Sequence, residues 1–380
     1  MINIYNLVDT YQYLLLILVT LFTYQLCKRY RTTGFNQSLV DSRKAESIAF
    51  MLCILFSFLI GLRPIDVWTV NQWGDTAVYM DTYRVLNGTS FQFEWQAGNK
   101  IWDNLFSFWA CNDLEPSFLF FIAASIYFGA TYVACKKWFP HDTAIAYLAF
   151  LGAFSTYSYS YNGVKAGVAG ALFLVAIAYY EKKSVSILFA LLSLGFHHSM
   201  QLPIATYILT IFFKESKWYF YGWIFCVLMA TLHIGFFQSL FMGFGGNEDN
   251  LYLQGVQDDI TQIGFRPDFM LYSAAPIWIG YRLVMKENRK VSKLYLTLLH
   301  IYLCTNGVWM LCMYAAYSNR IAYLSWFMYP FVLIYPFLKE DIKGFRLFGL
   351  NNQYRMLAKV AMYHLYFTLF MNLVYYKILH

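Results

Sequence analysis

An all-α, polytopic integral membrane protein, crossing the bilayer about twelve times as one transmembrane domain over residues 1–380 with two long outward-facing loops, is what this sequence implies. Three observations carry that expectation. Apolar residues make up 59% of the chain against about 45 to 50% in soluble proteins, and charged residues 13% where about 25% is usual, so a water-facing surface cannot be clothed. Mean hydropathy is +0.45, and 69 Phe plus Tyr stand against 28 Lys plus Arg. The apolar runs suit a hydrocarbon core of about 30 Å at about 1.5 Å per helical residue, and the alternating ten-residue segments of a barrel are absent.

In chain order, the first run, Tyr11 to Leu26, lacks a basic start and a small-residue cleavage site and ends on Cys27-Lys28-Arg29, so it reads as a retained helix near 9 to 27. Apolar runs then predict spans near 46 to 61, 116 to 135, 142 to 160, 165 to 180, 184 to 197, 200 to 213, 218 to 236, 269 to 285, 294 to 315, 321 to 338 and 356 to 376. All cysteines except Cys111 lie in or beside apolar runs, which gives neither a disulfide framework nor a CxxC.

Alternating sides through these spans puts 21 Lys plus Arg and 8 acids on one side, net +13, and 7 Lys plus Arg with 13 acids on the other, net −6. The positive-inside rule makes the first side cytoplasmic, so both termini and the long connections 62–115 and 237–268 face outward. The basic balance of +7 is thereby accounted for by topology, and no basic stripe on a soluble element points to nucleic acid.

Candidate chemistry gathers on the outer side. In Gln72-Trp73-Gly74-Asp75-Thr76, Gly74 suits a turn and Asp75 an N-cap, so that Asp75, Tyr79 and Tyr83 share a helix face that either meets a polar ligand or rests its rings at the membrane interface. Tyr161-Asn162-Gly163-Val164-Lys165 starts a helix whose Gly163, Gly167 and Ala171 allow close backbone approach. Lys165 at its outer end either snorkels or supports an anion at the helix N-terminus. Phe196-His197-His198-Ser199 ends another helix. His197 reads as a general base or as an interfacial imidazole, and the adjacent pair, with no acidic or thiol ligand at metal-site spacing, implies no metal. Arg63, Arg266 and Arg320 lie near hydrocarbon on one side. Each either pairs a local carboxylate, as Arg63 with Asp66 or Arg266 with Asp268, or grips phosphate; together with Lys165 they favour a diphosphate.

These residues fall in blocks: Gly61-Leu62-Arg63 with Gly74-Asp75-Thr76 and Tyr79; Asn162-Gly163-Val164-Lys165 with Ala169; Phe196-His197-x-Ser199; Gly264-Phe265-Arg266 with Asp268-Phe269; and Ser318-Asn319-Arg320 through Tyr323-Leu324-Ser325-Trp326. In this order they resemble the EpsG family of bacterial exopolysaccharide and capsule polymerases, functionally akin to the Wzy O-antigen polymerases. Many members carry Asn-x-x-Arg-Gln where this chain has Asn162-Gly163-Val164-Lys165-Ala166, so the charge is kept and the guanidinium fork lost. The resemblance implies a polysaccharide polymerase of the bacterial cytoplasmic membrane, active on its outer face without a cofactor or nucleotide sugar. Its substrates would be polyprenyl-diphosphate-linked repeat units held in membrane lipid, and its pathway partners a flippase and a chain-length regulator. On that basis Arg63, Arg266 and Arg320, assisted by Lys165, are expected on the diphosphate, Tyr79 and Asp268 beside the substrate, and His197 or Asp75 as base. Competing readings are a transporter or flippase of lipid-linked sugar, disfavoured by charges at helix ends and by the lack of paired halves, and a glycan acyltransferase, for which the cytoplasmic loops offer no donor motif.

Overall fold

The computed structural model describes residues 5–33, 42–65, 75–234, 264–315 and 318–379. Most of the expected outer loop 237–268 therefore lies outside the described residues, as do Asp66, Gln72, Trp73 and Gly74. Helix accounts for 78% of the structure, with no strand among the described residues. In chain order the helices are α1 (Tyr5–Thr33), α2 (Ser42–Gly61), α3 (Asp75–Leu86), α4 (Lys100–Cys111), α5 (Pro116–Trp138), α6 (Thr143–Leu151), α7 (Phe154–Tyr161) and α8 (Val164–Ala178). There follow α9 (Lys183–Phe196), α10 (Gln201–Phe212), α11 (Ser216–Thr231), α12 (Pro267–Tyr281), α13 (Lys293–Leu311), α14 (Ser318–Trp326), α15 (Tyr329–Lys339) and α16 (Gln353–Phe370).

Among the described residues, four helical stretches are long and apolar enough to cross a membrane: Pro116–Trp138, Lys293–Leu311, Ser318–Lys339 and Gln353–Tyr375. Glu46–Gly61, Val164–Ala178 and Lys183–Phe196 are apolar but shorter, so the expectation of about twelve full spans is met only in part. Two expected spans are interrupted. The run 142 to 160 breaks at Gly152-Ala153 into α6 and α7, and the run 321 to 338 turns at Phe327-Met328 between α14 and α15. The stretch 62–115, expected as an outer connection with a helix starting at Asp75, contains that helix, α3, and also the unexpected α4.

The chain forms two compact units, residues 1–196 with 336–380, and residues 197–335. In the first, α8 is apolar all round, buried from Gly167 to Ala178, and packs against α5, α7 and α9. Helix α5 starts with Pro116 at its first turn behind a Glu115 cap and ends on Lys136 and Lys137, where positive charge complements the helix dipole. Gly61 lets α2 lie directly on it: a Cβ there would meet Phe121 Cδ2 at 2.8 Å and Cα at 2.9 Å. The break between α6 and α7 frees carbonyls inside the unit, and side chains from remote helices take them up. Tyr11 of α1 donates to Leu151 O at 3.0 Å, while His364 and Thr368 of α16 donate to Ala149 O at 2.9 Å and Gly152 O at 2.8 Å.

In the second unit α13 is central and packs against α10, α11, α12 and α14. Buried Asn306 accepts from Trp223 Nε1 at 2.8 Å and donates to Ser325 Oγ at 3.2 Å. Ser273 accepts from Trp326 Nε1 at 2.7 Å through its hydroxyl, and from the Tyr302 hydroxyl at 2.9 Å through its carbonyl. Each bond joins two helices where apolar contact alone gives little direction.

Candidate functional site

In the first unit, residues from three distant segments are tied together at the end of α2. Arg63 follows the last turn of α2, and Pro64 prevents that helix from continuing. The Arg63 side chain is 2% exposed and lies over the Phe120 ring at 4.7 Å. Its Nη1 donates to Ile60 O at 3.1 Å, and Nη2 donates to Thr76 Oγ1 at 3.0 Å and Tyr161 O at 3.4 Å. Thr76 Oγ1 in turn donates to Tyr161 O at 2.9 Å. The acceptors are carbonyls and a hydroxyl, and Nε has no hydrogen-bond partner among the described residues. Burial pushes the Arg63 pKa down to about 10, which leaves the guanidinium charged at neutral pH. Asp66, the alternative partner suggested by the sequence, lies outside the described residues.

Asp75 is the first described residue of α3. Its backbone N–H is accepted by the Asn162 side chain at 2.7 Å, so the start of α3 is fixed from the junction of α7 and α8. Lys165 stands half-buried in the first turn of α8. Gly167 is needed next to it, because a Cβ would meet Tyr159 O at 2.6 Å. The face bearing Asp75, Tyr79 and Tyr83 turns inward along most of its length. Tyr79 packs against Trp102, Phe106 and Phe120 at 5.6, 5.7 and 6.0 Å, and the Tyr83 hydroxyl donates to Leu114 O at 2.8 Å.

The second unit holds the other candidates. Arg266 caps α12, and its fork meets Asp268 in two parallel bonds, Nε to Oδ1 at 3.0 Å and Nη2 to Oδ2 at 2.7 Å. Burial pushes the Asp268 carboxyl up, but Arg266 and the backbone N–H groups of the first turn outweigh it and hold the carboxyl below its usual value. Arg320 lies exposed in the first turn of α14. His197 precedes the short 3-10 turn His198–Met200, and its Nδ1 accepts the Ser199 N–H at 3.2 Å with Ser199 Oγ at 2.6 Å. A backbone N–H can only donate, so in neutral His197 the ring proton sits on Nε2 and the basic lone pair faces Ser199. Sequence reasoning assigned no role to Thr76, Asn162 or Ser199. The signal for all three was their place in the family-like blocks.

The model of the EpsG family matches residues 46–378. No curated protein and no solved structure matches the chain.

Proposed function

The chain belongs to the EpsG family, and from that premise we propose that this polysaccharide-biosynthesis membrane protein is the polymerase that joins lipid-linked repeat units on the outer face of the bacterial cytoplasmic membrane. A growing glycan on polyprenyl diphosphate is the donor, and a single lipid-linked repeat is the acceptor. The acceptor hydroxyl oxygen bonds to the donor anomeric carbon, the bond from that carbon to the diphosphate oxygen breaks with its electron pair, and the hydroxyl proton passes to a base. Cations stabilise the departing diphosphate. From the family resemblance, Arg63, Lys165, Arg266 and Arg320 are assigned to that charge. For Arg266 the phosphate would take the place that Asp268 now holds.

One observation carries the reading. Arg63, Thr76, Asp75 and Asn162, from three chain segments in two family-like blocks, are tied by hydrogen bonds around a buried cation whose acceptors among the described residues are all neutral. A buried guanidinium in that state is costly without an anion, and diphosphate is one. The proton acceptor is Asp75 or His197, and because His197 has its basic nitrogen occupied by Ser199, Asp75 is favoured. The test is deletion of the gene followed by gel analysis of lipid-linked glycans. Collapse of the ladder to a single repeat supports the polymerase. Accumulation of that repeat on the inner leaflet would instead identify a flippase.

A further inference from the structure

Between α3 and α4 the chain alternates rings with amides or a carboxylate: Phe91-Gln92-Phe93-Glu94-Trp95-Gln96. Every residue from Asn87 to Gln96 is exposed, Trp95 by 75% and Phe93 by 49%. Exposed rings on a loop would ordinarily fold back on apolar surface, yet this strip is fastened in place. Asn104, 6% exposed on α4, accepts the Glu94 N–H at 2.7 Å and donates to Glu94 O at 3.0 Å and Lys100 O at 2.8 Å. Phe91 stands edge-on to Phe108 at 5.4 Å, and the Phe93 and Trp95 rings meet at 4.7 Å and 61°. A buried amide thus holds an indole and a phenyl ring out in solvent as a fixed corner.

Charge and patterning select the occupant. From Asp75 to Glu115 there are six acids (Asp75, Asp81, Glu94, Asp103, Asp113, Glu115) and two bases (Arg84, Lys100), so the lobe is net −4. Anionic headgroups are repelled by such a lobe, and it lacks the Lys/Arg collar of helices that lie on membranes. Protein interface cores exclude charge, whereas here exposed Glu94 stands between Phe93 and Trp95 in the sequence. A sugar presents an apolar C–H face rimmed by hydroxyls, which matches aromatic faces flanked by Gln92, Glu94 and Gln96.

The geometry points to Phe93 and Trp95 as a glycan-binding subsite for uncharged sugars, which on the polymerase reading would hold the growing chain; acidic sugars are disfavoured by the lobe's own charge. The test uses the whole protein in nanodiscs and saturation-transfer NMR with three neutral hexasaccharides (maltohexaose, cellohexaose, chitohexaose) and an oligogalacturonate. Transfer to at least one neutral hexamer is expected, falling roughly 2- to 10-fold in affinity in Phe93→Ala/Trp95→Ala, kept in Trp95→Tyr and absent with the acidic oligomer. No transfer to any neutral hexamer, or equal transfer in the double variant, overturns the subsite. So does quenching of the Trp95 fluorescence, taken as the difference from Trp95→Phe, by brominated acyl chains, since that places the rings in lipid. Retained transfer with an unchanged glycan ladder on gene deletion would remove the polymerase and leave the subsite; ladder collapse without transfer would do the reverse.

Discussion

Arg63 links α2 to α3 and to the end of α7, and replacing it removes the side-chain bonds to Ile60 O, Thr76 Oγ1 and Tyr161 O that join these segments. Arg63→Ala is expected to cost about 1 to 3 kcal/mol and show as a fall in thermal midpoint in detergent. Lysine keeps the charge but presents a point donor instead of a fork, so Arg63→Lys should recover only part of that loss. A midpoint unchanged in the alanine variant would free Arg63 from this structural role. Asp75 and His197 are separated by a different substitution. Since Asn162 already accepts the Asp75 N–H, Asp75→Asn leaves the start of α3 intact and removes only the ability to accept a proton. With purified enzyme and defined lipid-linked repeats, Asp75→Asn should lose about 10²-fold or more in rate, and His197→Gln much less. The opposite order would return the proton to His197.

At the scale of elements, close backbone approach sets where helices lie. Gly61→Ala brings a methyl onto the Phe121 backbone and should push α2 from α5, at a cost of about 1 to 3 kcal/mol. A Cβ at Gly129 of α5 would meet nothing within 4 Å, so Gly129→Ala is the matched control and should be neutral or stabilising by the usual helix preference for alanine. Equal thermal midpoints for the two variants would remove the close-approach account. The same scale shows what could be read in advance. Helices α5 and α8 were legible because continuous apolar composition suffices for a buried helix. Helix α4 was missed although its buried Trp102, Phe106 and Ala110 recur every four residues, because 12 residues are too few for a membrane span. The break after α6 was also hidden: the side chains that make it tolerable, Tyr11, His364 and Thr368, stand 140, 215 and 216 residues from the carbonyls they serve. Likewise the blocks carrying Arg63, Asp75 and Asn162 were recognisable, whereas their mutual bonds span up to 98 residues and no local pattern encodes them.

For the whole molecule, the charge asymmetry of the sequence predicts that the segment holding α3 and α4 lies outside. A single cysteine at exposed Asn87, in a cysteine-free background, should react with an impermeant thiol reagent in intact spheroplasts. Labelling only after lysis would invert the orientation. The interrupted helix also gives synthesis a clock. Tyr11 exists before α6 emerges, but the donors for Ala149 and Gly152 are made 215 and 216 residues later. At about 5 to 20 residues per second the nascent chain waits roughly 10 to 40 s with two bare carbonyls, a window in which quality-control proteases can act. In the double variant His364→Leu/Thr368→Val that window never closes, so pulse–chase should show a markedly shorter lifetime than for the parent chain, and equal lifetimes would count against it. Helix α16 thus completes a helix pair made long before it, and the moment at which that pair is satisfied is set by a segment synthesised some 215 residues later.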